Sequence, residues 1–451
     1  DKPMGVFFGY KKAGGFFTSA DDLTKYPRAP VQTIGSIRFV DVNNDGKIDV
    51  IVTNGSTNIS ILINTSTPGN ISFSSKQDFS VESSLILQVG DVNNDGKPDI
   101  FITGHGWDQN PFPGEYDQLL LSENGKFKLV EFKDKIGFYH GACSGDIDKD
   151  GDLDLFVGSG GNEVSEGTND LLDRLYLNDG KGKFTYSSGA IPMNTLNTSV
   201  VLPLDYDADG DIDLFVGSRS VPMQYGLNPN SFIYQNDGKG AFKDVTASVA
   251  PQLKELGMVR DASLSDVNKD GKKDLVIVGD WMAPVTLLAK GAKFEKADNG
   301  LEEYTGFWGA IKVLDVDGDG DNDMVLGNMG ENFTLHTQLD APLKIWVKDF
   351  DKNGSIDKIL TKTINEKDSP VFLKREMAEQ FPALKKQILQ HAEYAKKSLQ
   401  DLFPSDVLEG SLTKTVGYCK SIVAINDGKG KFTVVALPEV AQLSCINAIE
   451  Q

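Results

Sequence analysis

Short apolar runs recur along the chain, each cut off by polar or glycine-rich punctuation. Ile37-Arg-Phe-Val40, Val50-Ile-Val52, Ile61-Leu-Ile63, Ile71-Ser-Phe73, Leu175-Tyr-Leu177, Phe184-Thr-Tyr186, Ile311-Lys-Val313-Leu314 and Met324-Val-Leu326 are of strand length. They are rich in β-branched and aromatic residues, which suit a pleated, half-buried surface. Gly5-Val-Phe-Phe8 and Gly14-Gly-Phe-Phe17 add two short strands at the start. One segment follows a different period. Across 372–403 the apolar positions Leu373, Met377, Phe381, Leu384, Ile388, Ala395, Leu399 and Leu402 fall mostly three or four apart, which predicts helix. Pro382 should divide it into two helices, because the residue before proline disfavours the helical region. The expected layout is one domain over 1–451 with a helical insertion at 361–416.

Between paired strand-like runs lies an acidic loop of nine residues, fullest at Asp315, Asp317, Asp319, Asp321 and Asp323, where Gly320 permits a sharp turn. Six further copies carry Asp41, Asn43, Asp45, Lys47 and Asp49; Asp91, Asn93, Asp95, Lys97 and Asp99; Asp146, Asp148, Asp150, Asp152 and Asp154; Asp205, Asp207, Asp209, Asp211 and Asp213; Asp266, Asn268, Asp270, Lys272 and Asp274; and Asp349, Asp351, Asn353, Ser355 and Asp357. So many carboxylates would repel one another without a cation among them. Side-chain oxygens at loop positions 1, 3, 5 and 9, with a backbone carbonyl at 7, describe a calcium loop, so about seven Ca²⁺ sites are expected.

Loop starts step by 50, 55, 59, 61, 49 and 34 residues. A period of about 50 with several strands in each signals a propeller or solenoid. Asn178-Asp-Gly-Lys-Gly-Lys-Phe184, Asn236-Asp-Gly-Lys-Gly-Ala-Phe242 and Asn426-Asp-Gly-Lys-Gly-Lys-Phe432 decide between them, since each reads as an Asp-Gly hairpin turn between two more strands. Weaker copies stand at Asn124-Gly-Lys-Phe127 and Gly291-Ala-Lys-Phe294. Four antiparallel strands per repeat make a propeller blade, so the fold class is an all-β calcium-binding β-propeller of seven blades, with eight as the alternative. The short step of 34 implies that blade six lacks an outer strand. Ser421-Ile-Val-Ala-Ile425 then resumes blade seven after the helices. Cys445-Ile-Asn-Ala-Ile449 reads as an inner strand that pairs with the N-terminal strands in one shared blade and closes the ring.

The repeated loops between strands resemble the FG-GAP/VCBS repeats of integrin alpha propellers. From about Gly90 onward, Ser159-Gly-Gly-Asn162, Asp173-Arg-Leu-Tyr-Leu-Asn178, Gly257-Met258, Gly279-Asp-Trp-Met282 and Phe381-Pro-Ala-Leu-Lys-Lys386 look like VCBS-repeat proteins related to cartilage acidic protein, common as surface lipoproteins of Bacteroidota. The resemblance implies a calcium propeller. It also implies a further loop beyond Ala441-Gln-Leu-Ser444, where this chain ends at Gln451.

Composition narrows the function. A net charge of −20 argues against nucleic acid or an anionic membrane as partner. Seven bound Ca²⁺ would bring that charge to about −6. No apolar run reaches the length of a membrane span, which leaves a lipid or a partner as the means of any membrane anchoring. The start at Asp1 without Met reads as a removed leader, and the loops suit millimolar extracellular calcium. Cys419 and Cys445 could pair, leaving Cys143 as a thiol. His105, His140, His336 and His391 form no zinc-type cluster. Trp107, Trp281 and Trp308 follow inner-strand segments and either pack there or line one face of the ring. Sequons occur at Asn54, Asn58, Asn64, Asn70, Asn197, Asn332 and Asn353. The leading expectation is a non-catalytic adhesion or scaffolding module that binds a protein or glycan at the cell surface. A polysaccharide lyase or hydrolase, or an accessory subunit of an outer-membrane uptake complex, are the rivals.

Overall fold

The computed structural model describes residues 34–54, 58–80, 84–104, 118–123, 126–131, 139–160, 167–168, 171–333, 335, 337–387 and 390–449. The N-terminal strand runs, the turn at Asn124, His105, Trp107 and His336 lie outside them.

Five successive units each build one antiparallel sheet from strands consecutive in the chain. The first holds β1 (Ile34–Val40), β2 (Asp49–Asn54), β3 (Asn58–Leu62) and β4 (Gln77–Ser80). The second holds β5 (Ser84–Gly90), β6 (Asp99–Gly104), β7 (Gln118–Glu123) and β8 (Lys126–Glu131). The third runs β9 (Tyr139–Gly145), β10 (Asp154–Ser159), β11 (Arg174–Asn178) and β12 (Phe184–Tyr186). The fourth runs β13 (Asn197–Leu204), β14 (Asp213–Ser220), β15 (Phe232–Asn236) and β16 (Phe242–Asp244), with the short α1 (Thr246–Val249) after it. The fifth runs β17 (Met258–Ser265), β18 (Asp274–Met282), β19 (Val285–Ala289) and β20 (Phe294–Lys296), and β21 (Gly306–Phe307) adds to β18.

The sixth sheet differs in its connection. Its first pair is β22 (Ala310–Leu314) and β23 (Asp323–Gly327); the chain then departs and returns as β28 (Ile422–Asn426) and β29 (Phe432–Ala436). Between them lies a complete seventh sheet in the order β26-β25-β24-β27, from β24 (Leu343–Lys348), β25 (Asp357–Ile364), β26 (Lys367–Pro370) and β27 (Leu412–Val416). This corrects two expectations. The sixth sheet keeps both outer strands, and the strand at 422–426 belongs to it rather than to the seventh. Spacing misled because the seventh loop starts before the sixth sheet is finished, which shortens the step without deleting a strand.

The helical segment also differs from two helices split at Pro382. Among the described residues it forms α2 (Lys374–Gln380), α3 (Leu384–Gln387), α4 (His391–Tyr394), α5 (Leu399–Leu402) and α6 (Ser405–Leu408). Their apolar side chains Met377, Phe381, Leu399 and Phe403 close over Phe350 and Ile359 on one face of the seventh sheet. Phe381 and Phe403 each meet Phe350, with ring centroids 6.1 and 5.7 Å away. The other face of that sheet, Leu343, Ile345 and Val347 on β24 with Val416 on β27, packs on Met258 and Trp281 of the fifth sheet. Strict alternation along β24 is what lets one strand serve two cores.

Neighbouring sheets touch through their first strands in chain order, β1 to β5, β9, β13, β17 and β22. A glycine near the end of the second strand permits this approach. A Cβ on Gly217 would come 2.6 Å from Val200 and 2.8 Å from Val259 of the next sheet. These four-stranded antiparallel sheets, joined in succession, are the construction of a β-propeller. Residues 445–449 form no strand; Ile446 donates its backbone N–H to Asn328 O at 3.0 Å and lies against the sixth sheet. Cys143, Cys419 and Cys445 are free thiols, and Cys419 points to Thr337 O, so the expected pairing is not made. Trp308 is fully buried and Trp281 nearly so, so both are packing residues. Among the described residues, no helix is long and apolar enough to cross a membrane.

Candidate metal centres

Every acidic loop joins the first strand of a sheet to the second, so all seven are set up by the same hairpin. The turn is shaped from within. In the first loop Asp45 N–H donates to Asp41 Oδ1 and Asn43 Oδ1, each at 3.0 Å, and Gly46 N–H donates to Asp41 Oδ2 at 2.7 Å. The same pattern recurs in the second, fifth and seventh loops. The fourth loop residue takes a left-handed backbone, as at Asn44, Asn94, Lys149, Ala208, Lys269 and Lys352. The glycine at position 6 is left-handed too, for example Gly46 at φ 83°. A residue there with a Cβ would be strained.

Position 9 closes the site at the base of the second strand. Asp49, Asp154, Asp213 and Asp274 are completely buried, and Asp99, Asp323 and Asp357 nearly so. Each accepts the amide of loop position 2, as Val42 to Asp49 at 3.0 Å and Ile147 to Asp154 at 2.9 Å. In the second to sixth sheets the other oxygen accepts an amide from the third strand of the sheet, as Asn236 to Asp213 at 2.8 Å, and in the first from Asn64, two residues beyond that strand, at 2.7 Å. The seventh sheet replaces that amide with Gln380 Nε2 of α2, 3.1 Å from Asp357 Oδ1. Burial pushes Asp99 and Asp154 up to about 6 and Asp213 up to about 7, against those amide donors, and the other loop carboxylates push the same way.

Positions 1, 3 and 9 converge. In the third, fourth, sixth and seventh loops the sets Asp146, Asp148, Asp154; Asp205, Asp207, Asp213; Asp315, Asp317, Asp323; and Asp349, Asp351, Asp357 bring carboxylate oxygens within 4.8 Å of one another. These groups could hold a metal ion. Two buried oxygens, Asp146 Oδ1 and Asp207 Oδ1, find no hydrogen-bond partner among the described residues. Orphaned, buried, hard oxygens of this kind fit a divalent cation. The first, second and fifth loops have an amide (Asn43, Asn93, Asn268) at position 3 in place of the third carboxylate. Position 5 is less engaged, since Asp45 Oδ1 accepts the Lys47 amide at 2.9 Å and Asn353 Oδ1 the Ser355 amide at 2.8 Å. Asp95, Asp270, Asp209 and Asp319 do the same for Lys97, Lys272, Asp211 and Asp321.

Position 7 side chains do something the spacing did not reveal. They reach the loop of the preceding sheet. Asn94 Nδ2 donates to Asp152 Oδ1 at 2.7 Å, Lys149 pairs with Asp211, and Lys269 pairs with Asp321. Asn44 of the first loop donates to Gly96 O of the second at 2.5 Å. A second device runs through the Asp-Gly turns. Asn178 Nδ2 bonds Val92 O in the preceding loop at 2.7 Å and Leu153 O in its own at 3.1 Å. Asn236 does the same with Ile147 O and Ile212 O, and Asn426 with Val267 O and Asn322 O. The asparagine that opens each Asn-Asp-Gly-Lys-Gly turn was the available signal, read from sequence only as turn chemistry.

Sheets of four antiparallel strands, each bearing an acidic loop between its first and second strands, define a repeat protein of β-propeller type. The FG-GAP-like repeat family model matches residues 41–102, 146–216, 205–277 and 266–326, each match beginning at the first aspartate of a loop. These matches cover more than half of the chain, which belongs to the FG-GAP-like repeat family. No curated protein matches the chain. Among solved structures, the V. cholerae biofilm matrix protein Bap1 is similar at 13% identity and a TM-score of 0.33, over 89% of this chain and 66% of that one. The chain thus spans just under two thirds of the length of Bap1. A crystal structure of BBS1N in complex with ARL6DN is similar at 9% identity and a TM-score of 0.33, over 66% of this chain and 91% of that one.

Proposed function

We propose that the chain is a non-catalytic, calcium-stabilised β-propeller module that acts outside the cell, at its surface, by binding a protein or glycan partner. The convergence of three carboxylates within 4.8 Å in four loops of the same design carries the calcium part of this reading. Calcium is the cation of choice because the donor set is all oxygen and open to a backbone carbonyl at position 7. The ligands are the residues at positions 1, 3, 5 and 9 of all seven loops, with position 7 contributing its carbonyl. Calcium serves the fold here. It neutralises carboxylates that burial and mutual repulsion would otherwise hold protonated or apart.

The domain is taken as the whole of 1–451, with six sheets in succession and the seventh sheet, with its helices, inserted within the sixth. An extracellular setting supplies calcium at the concentration such loops need. Thermal unfolding in excess calcium, in a chelator and in magnesium tests the reading. Binding at a hundredfold excess over Kd stabilises the folded state by about 2.7 kcal/mol per site, so chelation should lower the melting temperature sharply and magnesium should not restore it. A melting temperature indifferent to chelation overturns it.

A further inference from the structure

The chain carries a net negative charge, yet one cluster of side chains gathers positive charge. It lies between the inserted seventh sheet and the ends of β14, β17 and β18. Arg219 on β14 and Arg260 on β17 both face Asp280 Oδ2 of β18, each at 3.6 Å. Neither approach closes to hydrogen-bond length. Asp280 is 6% exposed, while Arg219 and Arg260 keep 42% and 27% of their side-chain surface in solvent. A third cation enters from the opposite wall. Lys414 pairs across strands with Ile345, so it lies on the face of the seventh sheet that packs against the fifth. Its Nζ is buried and, among the described residues, has no hydrogen-bond partner.

The local charge does not balance. Arg219, Arg260 and Lys414 face Asp280, and Arg260 also acts on the buried Asp261, so three cations meet two carboxylates in a partly desolvated cluster. Burial and the neighbouring Arg260 both pull the Arg219 guanidinium down, and burial lowers Lys414 to about 8 even though Asp280 opposes it. Uncompensated buried charge is costly, and a fold retains it where something else completes the set.

The backbone is also held out of its ordinary range at this point. Trp281, next to Asp280, sits at φ 59°, a left-handed conformation unusual for a bulky side chain. It forms the irregularity where β18 pairs with β21, and its Nε1 donates to Tyr225 Oη at 3.0 Å. Strain of this kind concentrates at sites that position a group for use.

We propose that this cluster binds one oxyanion group, the carboxylate or sulfate of an acidic ligand. Arg219 and Arg260 present their solvent-exposed surface to it, Lys414 adds positive charge, and Asp280 competes with the ligand for the same two guanidinium groups. Paired guanidinium groups recognise oxyanions by parallel N–H bonds, which an isolated surface lysine cannot do. The inference stands on these charges alone and does not depend on the calcium or cell-surface reading.

Calorimetric titration of the calcium-saturated full chain tests it, with glucuronate as the organic probe, inorganic sulfate as the mineral one and glucose as the neutral control. Saturable heat is expected with glucuronate, sulfate or both, and none with glucose; which probe binds tells the organic from the mineral source. Removing the guanidinium groups in R219Q/R260Q should weaken binding by about tenfold or more. D280N, which removes the internal competitor, should tighten it, an effect that a purely structural ion network does not produce. If the double variant does not fold, D280N and K414M carry the test alone, K414M weakening and D280N strengthening the same isotherm. No saturable heat with either anion overturns the proposal, as does binding that ignores all of these variants.

Discussion

Lys149, at the fourth position of the third acidic loop, forms an ion pair with Asp211, at the seventh position of the fourth. The contact crosses from one sheet to the next, and Lys269 with Asp321 repeats it between the fifth and sixth. The first four loops are therefore linked in series, and the fifth is linked to the sixth. An exposed ion pair contributes little stability on its own. Lys149→Ala is accordingly expected to leave the melting temperature nearly unchanged at physiological salt. What should change is the steepness of calcium binding, because the loops would then fill more independently. A calcium titration followed by intrinsic fluorescence reads this, and an unaltered slope would show that these contacts transmit nothing.

The asparagine staples should matter far more. Asn236 Nδ2 satisfies Ile147 O at 2.8 Å and Ile212 O at 3.1 Å, joining two loops through one buried amide. Asn236→Ala leaves both carbonyls without that donor, at about 1–3 kcal/mol for each buried group left unsatisfied. A drop of several degrees in melting temperature is expected, in calcium as well as in chelator. Equal stability would mean that water replaces the amide at no cost.

Two glycines should fail for different reasons. Gly217→Ala places a methyl group against Val200 and Val259, where the neighbouring sheet has no room. Overpacking of this kind costs about 1–3 kcal/mol. Gly271→Ala meets nothing within 4 Å but forces alanine to φ 85°, at about 1–2 kcal/mol. Calcium should separate them: extra ion ought to offset the loop defect at Gly271 and leave the Gly217 defect standing. Melting curves of both variants across a calcium series check this.

How much of this was legible beforehand depends on the length scale of the signal. The acidic loops, their flanking strands and the Asp-Gly turns are local patterns, and Asp146, Asp148 and Asp154 converge as their spacing requires. Partnerships across long stretches were not legible. The pairing of Met324 with Ala424 is set by packing, and no local pattern distinguishes a blade interrupted by an insertion from a blade that has lost strands. The five short helices failed for a related reason. Their apolar spacing is helical, but Pro382 and the need to cover Phe350 and Ile359 break the segment into pieces of one or two turns. The cationic cluster left no sequence signature, since Arg219, Arg260, Asp280 and Lys414 come from four strands.

Asp173 offers a pH test away from the loops. It is buried at the start of β11, where it accepts Ser159 N–H at 2.8 Å, Asn194 Nδ2 at 3.0 Å and Thr198 Oγ1 at 3.0 Å. Burial nevertheless raises it to about 7. The folded state thus holds its proton up to a higher pH than the unfolded chain does. Between about pH 4 and 7 the native state carries more protons, so this group's contribution to stability falls as pH rises through that window. Asp173→Asn should flatten that part of the stability–pH profile, measured by urea unfolding in saturating calcium to hold the loops constant. A profile as steep as the wild type would place the titration elsewhere.

Asp323 of β23 accepts the backbone amide of Asn426 at 2.8 Å, a bond between residues 103 apart in the chain. Its consequence concerns time rather than energy. As the polypeptide is made, five sheets can be completed in the order of their strands, but the sixth must wait half-built while a whole further sheet and its helices emerge. The unpaired edge of β23 is exposed throughout that interval, an open invitation to a foreign strand. If the insert folds first, it draws Asn328 and Ser421 together and shortens the effective loop to a few residues, so β28 arrives beside its partner with little entropy left to lose. The appendage would then act as an internal splint during synthesis, and its folding would set the pace at which the sixth sheet closes.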